Sequence, residues 1–102
     1  MYKLYVLVRK DLGLSHIAVQ AGHALAEWIK QYPLSSELEW NNTLVYLGVA
    51  DELELNQWHT LLSSMEPKTK DWKESYWDNS FTAFAVLGTP EVQKLVKGLK
   101  LI

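Results

Sequence analysis

Ser15-His16-Ile17-Ala18-Val19-Gln20-Ala21-Gly22-His23-Ala24 decides how this chain is read. The run opens a helix predicted over residues 16–32, where Ile17, Ala21, Ala24, Leu25, Trp28, Ile29 and Tyr32 recur at helical spacing and form one apolar surface. Ser15 is the expected N-cap, and Pro33 stops the helix because the residue before a proline is driven out of the helical region. At about 100° per residue, His16, Gln20, His23 and Glu27 fall within roughly 60° of one another. They draw a polar line along an otherwise apolar helix, flanked by Val19, Gly22 and Ala26. Such a line suits a cleft floor, where a neutral imidazole can accept a proton near pH 7. It equally suits side-chain pairing along an exposed helix.

The segments on either side set the fold class. Tyr2 to Val8 is short, apolar and rich in β-formers, so it reads as a buried strand, and Asp11 to Leu14 as a loop. Leu34 to Asn42 reads as a second loop and Thr43 to Ala50 as a second strand. Asp51 then caps a helix, with Glu54 in the capping-box position and Leu53, Trp58, Leu61 and Leu62 as its expected buried face; Pro67 marks the exit. Thr69 to Ser75 is weakly strand-like, whereas Phe81 to Leu87, bounded by Asp78-Asn79 and Gly88, is a clear strand. Thr89-Pro90-Glu91 starts a short last helix that Gly98 stops, leaving Leu99 to Ile102 as an apolar tail. This alternation implies an α/β domain spanning residues 1–102, a small, mostly parallel sheet with helices on both faces and one strand antiparallel to the others.

Composition narrows the chemistry. With 102 residues, 48% of them hydrophobic and 22% charged, the chain has the balance of an ordinary globular domain. It has no cysteine, which removes thiol nucleophiles and thiolate metal sites, and its three histidines show no HExxH-type spacing. No metal or other cofactor is implied. No apolar run approaches the roughly 20 residues of a membrane span, and the start reads as a strand rather than a signal peptide, so a cytoplasmic location is expected. The net charge of −2 lacks the basic surplus usual in nucleic-acid binders, although Lys3, Arg9 and Lys10 are candidates for a local basic patch at one strand end.

Two runs carry a resemblance. Leu4-Tyr5-Val6-Leu7-Val8-Arg9-Lys10-Asp11-Leu12 and then Ile17-Ala18-Val19-Gln20-Ala21-Gly22-His23-Ala24 resemble the opening of the archaeal/eukaryotic-type (class II) peptidyl-tRNA hydrolases. Thr82-Ala83-Phe84-Ala85-Val86-Leu87-Gly88-Thr89-Pro90 is similar to that family's late strand and turn, and Gly98-Leu99-Lys100-Leu101-Ile102 to its close. The resemblance implies a three-layer α/β/α sandwich around a four-stranded mixed sheet. It implies metal-independent hydrolysis of the ester joining a peptide to the 3′ end of tRNA, with tRNA as partner and a homodimer as a candidate assembly. Carried over, His23, Thr82 and Asp78 are the expected catalytic residues, and Arg9, Lys10, Asp11, His16 and Gln20 the expected substrate-binding ones.

The chain also departs from the family pattern, as a divergent member would. The loop before the helix is short, and His16 stands where the family carries a lysine. The family's acidic residue before the last strand has Asp78 as its nearest counterpart, although a second alignment puts Tyr76 there. These departures keep open an alternative: a non-catalytic member of the same fold that binds a nucleotide, an RNA end or a protein partner. Trp28 and Trp58 read as core, and His59 as a surface residue. Trp72, Tyr76 and Trp77, near Lys70 and Lys73, read either as a seal on the sheet edge or a dimer contact, or as a cluster that stacks bases and holds phosphates.

Overall fold

Alternating faces set the sheet. The computed structural model describes residues 2–31, 40–64 and 73–102. Strand β1 (Tyr2–Arg9) is buried from Leu4 to Val8 on both faces, which explains its unbroken apolar run. Helix α1 (Leu14–Gln31) follows, then β2 (Trp40–Val49), α2 (Glu52–Ser63), β3 (Lys73–Trp77), β4 (Ser80–Leu87), α3 (Pro90–Val96) and a two-residue β5 (Lys100–Leu101). The strand order is β3-β4-β1-β2-β5. The expectation of a mostly parallel sheet is corrected: β1, β2 and β3 run one way and β4 and β5 against them, and because β4 lies between β3 and β1 only the β1–β2 ladder is parallel. The apolar tail supplies β5, which pairs with Leu47 and Gly48 at the far edge.

Helices cover both faces. On one side α1 sets Ile17, Ala21, Ala24 and Trp28 against Leu4, Val6, Val8, Ala83, Ala85 and Leu87. On the other, Leu55 and Leu62 of α2 and Val92 and Val96 of α3 pack on Tyr5, Leu7, Leu47, Phe84 and Val86. These are the layers of an α/β/α sandwich. Among the described residues, no helix is long and apolar enough to cross a membrane.

Several local expectations change. α1 starts at Leu14, ahead of Ser15, with the Gly13 carbonyl accepting from the Ile17 amide at 2.9 Å. β2 begins earlier than expected, and its pairing with β1 is irregular around Asn42, whose φ of 68° is left-handed. Asp51 caps α2 by accepting from the Glu54 amide at 3.0 Å, while the Glu54 carboxylate reaches past the cap to the Ala50 amide, also at 3.0 Å. The expected buried face of α2 is corrected. Leu53 and Leu61 are exposed at 68% and 44%, because Leu55 and Leu62, seven residues apart, set the stripe that meets the sheet. His59 is half-buried, edge-on to Phe81 and Phe84, rather than a plain surface residue. Thr89 takes the N-cap position of α3 without a side-chain cap, and its Oγ1 is buried without a partner among the described residues. Pro33, Pro67, Lys70 and Trp72 lie outside the described residues.

Candidate active site

The carboxyl ends of β1 and β2, the start of β4 and the first turns of α1 and α2 meet at one end of the sheet. In an α/β sheet this is where ligands are usually held, beyond the carboxyl ends of the parallel strands. The Lys10 amide donates to the Val49 carbonyl at 2.7 Å and so ties the two parallel strands together at their exits.

Arg9 organises this end. Its guanidinium grips Asp11 with two parallel hydrogen bonds of 2.9 and 2.8 Å. The remaining nitrogen reaches Ser80 Oγ at 2.5 Å and the Phe81 carbonyl at 3.2 Å. From the first turn of α2, Glu52 accepts from the Phe81 amide at 2.7 Å and from Ser80 Oγ at 3.4 Å. The Arg9 hydrogen bonds hold the Asp11 carboxyl below its ordinary range, and Asp11, with Glu52 and Asp51 nearby, raises the Arg9 pKa. Arg9 and Asp11 therefore act first on each other. Neither Ser80 nor Glu52 stood out in the sequence: one reads as a strand start and the other as a helix first turn.

Next to this network, β4 contains a bulge. Tyr76 pairs with Phe81 and Ser75 with Ala83, so Thr82 is the extra residue. A bulge redirects side chains. Here it turns Thr82 toward α1, where its hydroxyl donates to Gln20 Oε1 at 2.9 Å with both residues buried. Two expected site residues from opposite parts of the chain are thus brought into contact.

His16, one turn before Gln20, stacks on Trp77 with ring centroids 4.2 Å apart and planes 22° from parallel. Trp77 is still 48% exposed. It precedes a two-residue hairpin turn, Asp78-Asn79, with φ of 52° and 63°; left-handed values at both central positions are the mark of a type I′ turn. Asp78 stands exposed at that tip. His23 is exposed one turn beyond Gln20, about 4.5 Å further along the helix axis. Among the described residues it has no hydrogen bond, ion pair or ring contact. The polar line is therefore mixed in character: Gln20 is buried, His16 is stacked, His23 is open, and Glu27 pairs loosely with Lys30 at 3.5 Å. Lys10 stands apart from this group. Its stem lies where a Cβ on Gly48 would sit, so it occupies the β2 side of β1 while Thr82 is on the β4 side.

The family model for peptidyl-tRNA hydrolase PTH2 matches residues 2–102, essentially the whole chain. The chain belongs to this family. A comparison with curated proteins gives no match. Membership in the peptidyl-tRNA hydrolase PTH2 family agrees with the sheet, the helix placement and the two sequence runs that first pointed to it. It supports a peptidyl-tRNA hydrolase-like function and peptidyl-tRNA as the substrate class.

Proposed function

We propose that the chain hydrolyses the ester between a peptide and the 3′-terminal ribose of tRNA. One observation carries the reading: an open, unengaged imidazole, His23, one helical turn from the buried Thr82–Gln20 pair. His23 takes a proton from water as the water oxygen attacks the ester carbonyl. The tetrahedral oxyanion then collapses, the bond to the ribose oxygen breaks, and the imidazolium returns its proton to that oxygen. Peptide acid and free tRNA result. Thr82, fully buried and donating to Gln20, does not touch the oxyanion and acts from behind the site by fixing Gln20 on the helix that carries His23. Asp78 and the Trp77–His16 stack flank the entrance, where the exposed indole offers a face to the terminal base. Arg9 and Asp11 keep the strand ends rigid around the acceptor end, and Lys10 meets the phosphate backbone from the β2 side.

A second reading has its own support. His16 is committed to Trp77, at the position where the family carries a lysine. A stacked aromatic pair there favours holding an RNA end over turning it over. One assay separates the two: peptide release from N-blocked aminoacyl-tRNA by the intact chain and by His23→Ala. Hydrolysis is expected, with His23→Ala lowering it by about 10²–10⁴-fold. A folded protein with no release above buffer would rule out the hydrolase. Binding is then tested by tRNA retention, which Trp77→Ala should weaken.

A further inference from the structure

A groove of about 630 Å³ lies on the sheet face away from Thr82 and His23, between α3, the start of β1 and the β2–β5 edge. Val45, Leu47 and Leu99 give it an aliphatic lining, and Leu101, 75% exposed, extends that lining to solvent. Lys3, Lys94 and Lys97 stand around it. Among the described residues no carboxylate lines the groove and none of the three lysines forms an ion pair, in a chain whose net charge is −2.

Tyr5 supplies a polar group on the groove wall. Its side chain borders the groove and is nine-tenths buried, yet its hydroxyl has no hydrogen-bond partner among the described residues. The ring is packed into the core while the hydroxyl opens into the groove, where it is free to donate to a ligand. Burial also pushes the phenol pKa up, keeping it a neutral O–H donor. Gly88 fixes this orientation: a Cβ there would run into the Tyr5 ring and sit 2.9 Å from the Lys3 carbonyl oxygen. An aliphatic trough with a few convergent polar groups has the make-up of a small-molecule site.

We infer that this groove binds an aliphatic carboxylate, its chain along Leu47, Leu99 and Leu101 and its head between the Tyr5 hydroxyl and the lysines. The lining argues for an alkyl body over a nucleobase, because among the described residues Tyr5 is the only aromatic one in it. The site is separate from the proposed ester chemistry, and its test does not depend on turnover.

The test is an amide chemical-shift titration of the full chain with octanoate, alongside acetate, 1-octanol and octyl phosphate. Octanoate should bind saturably and shift residues of α3 and β2 while those around Thr82 stay still. Acetate, which lacks the chain, and octanol, which lacks the charge, should each bind at least tenfold more weakly. Tyr5→Phe keeps the ring and removes only the donor, and should weaken octanoate on the order of tenfold. Lys94→Ala combined with Lys97→Ala should flatten the salt dependence of binding. Folded Tyr5→Phe with unchanged affinity, or shifts spread over the whole surface, would overturn the site. Octyl phosphate binding tenfold tighter than octanoate would overturn the carboxylate as its ligand.

Discussion

Thr82→Val is the sharpest probe of the architecture around the candidate site. Thr82 is fully buried, and its hydroxyl donates at 2.9 Å to the side-chain oxygen of Gln20, itself 3% exposed. Valine has nearly the same shape, so no cavity opens and no β-propensity is lost. What remains is a buried amide oxygen deprived of this donor, a loss of about 1–3 kcal/mol. For a domain of this length, each kcal/mol moves the midpoint by about 4–8 °C, so the expected fall in Tm is roughly 4–24 °C. Tryptophan fluorescence and circular dichroism should report the same transition if unfolding is two-state. The second half of the cycle is Gln20→Leu, alone and combined with Thr82→Val. Removing both partners should cost less than the sum of the single changes, by about 0.5–3 kcal/mol. A Tm for Thr82→Val within about 2 °C of the parent, or strict additivity in the double variant, would refute the claim that this bond ties α1 to the bulge.

Three further outcomes follow from the described contacts. Asp11 has a folded-state pKa held below its unfolded value by Arg9, so its contribution is present above the unfolded pKa near 4 and is lost as pH falls through the folded one. Asp11→Asn should therefore show a shallower loss of Tm on acidification than the parent; because the carboxylate is 40% exposed the difference should be small, and a steeper loss would contradict the pairing. Gly88→Ala forces a methyl group against Tyr5 and the Lys3 carbonyl and should cost about 1–3 kcal/mol in urea unfolding; a neutral result would mean the ring has room to move. Leu55→Ala should cost about 2–5 kcal/mol, whereas Leu53→Ala, at an exposed position, should stay within about 0.5 kcal/mol, and similar losses would restore the buried face first expected of α2.

The readable parts of this fold were those in which burial leaves a local pattern. β1 and β4 are covered on both faces and appear as unbroken apolar runs, while α1 shows its core stripe from Ile17 to Trp28 at helical spacing. The capping pair Asp51 and Glu54 was legible because both partners lie within one turn. Leu53 and Leu61 misled because hydrophobicity alone does not say which side of a short helix meets the sheet. β5 is only two residues long and gains its place from Leu47 and Gly48, a tertiary fact without local signature.

The candidate site divides in the same way. His16, Gln20 and His23 could be grouped from helical geometry alone. Their different fates could not, because Gln20 meets a residue 62 positions away and His16 meets Trp77 on a hairpin. Arg9 and Asp11 were singled out by resemblance; that they hold each other, with Ser80 and Glu52 completing the network, required the packing of four elements.

The bulge at Thr82 works as a parity switch. A strand alternates faces at every residue, so in a regular ladder Phe81 and Ala83 would look the same way. With one residue added, Phe81 looks toward α2 and Ala83 toward α1, and everything before Phe81 is counted from the other side. The hairpin that carries Trp77 and Asp78 therefore keeps the phase of the rest of β4 as though Thr82 were not counted. Deleting Thr82 would do what no substitution there can. It would seat Phe81 directly beside Ala83 in regular alternation, on the face it already has, and so abolish the Gln20 contact while leaving the phase of the hairpin, and Trp77 against His16, unchanged.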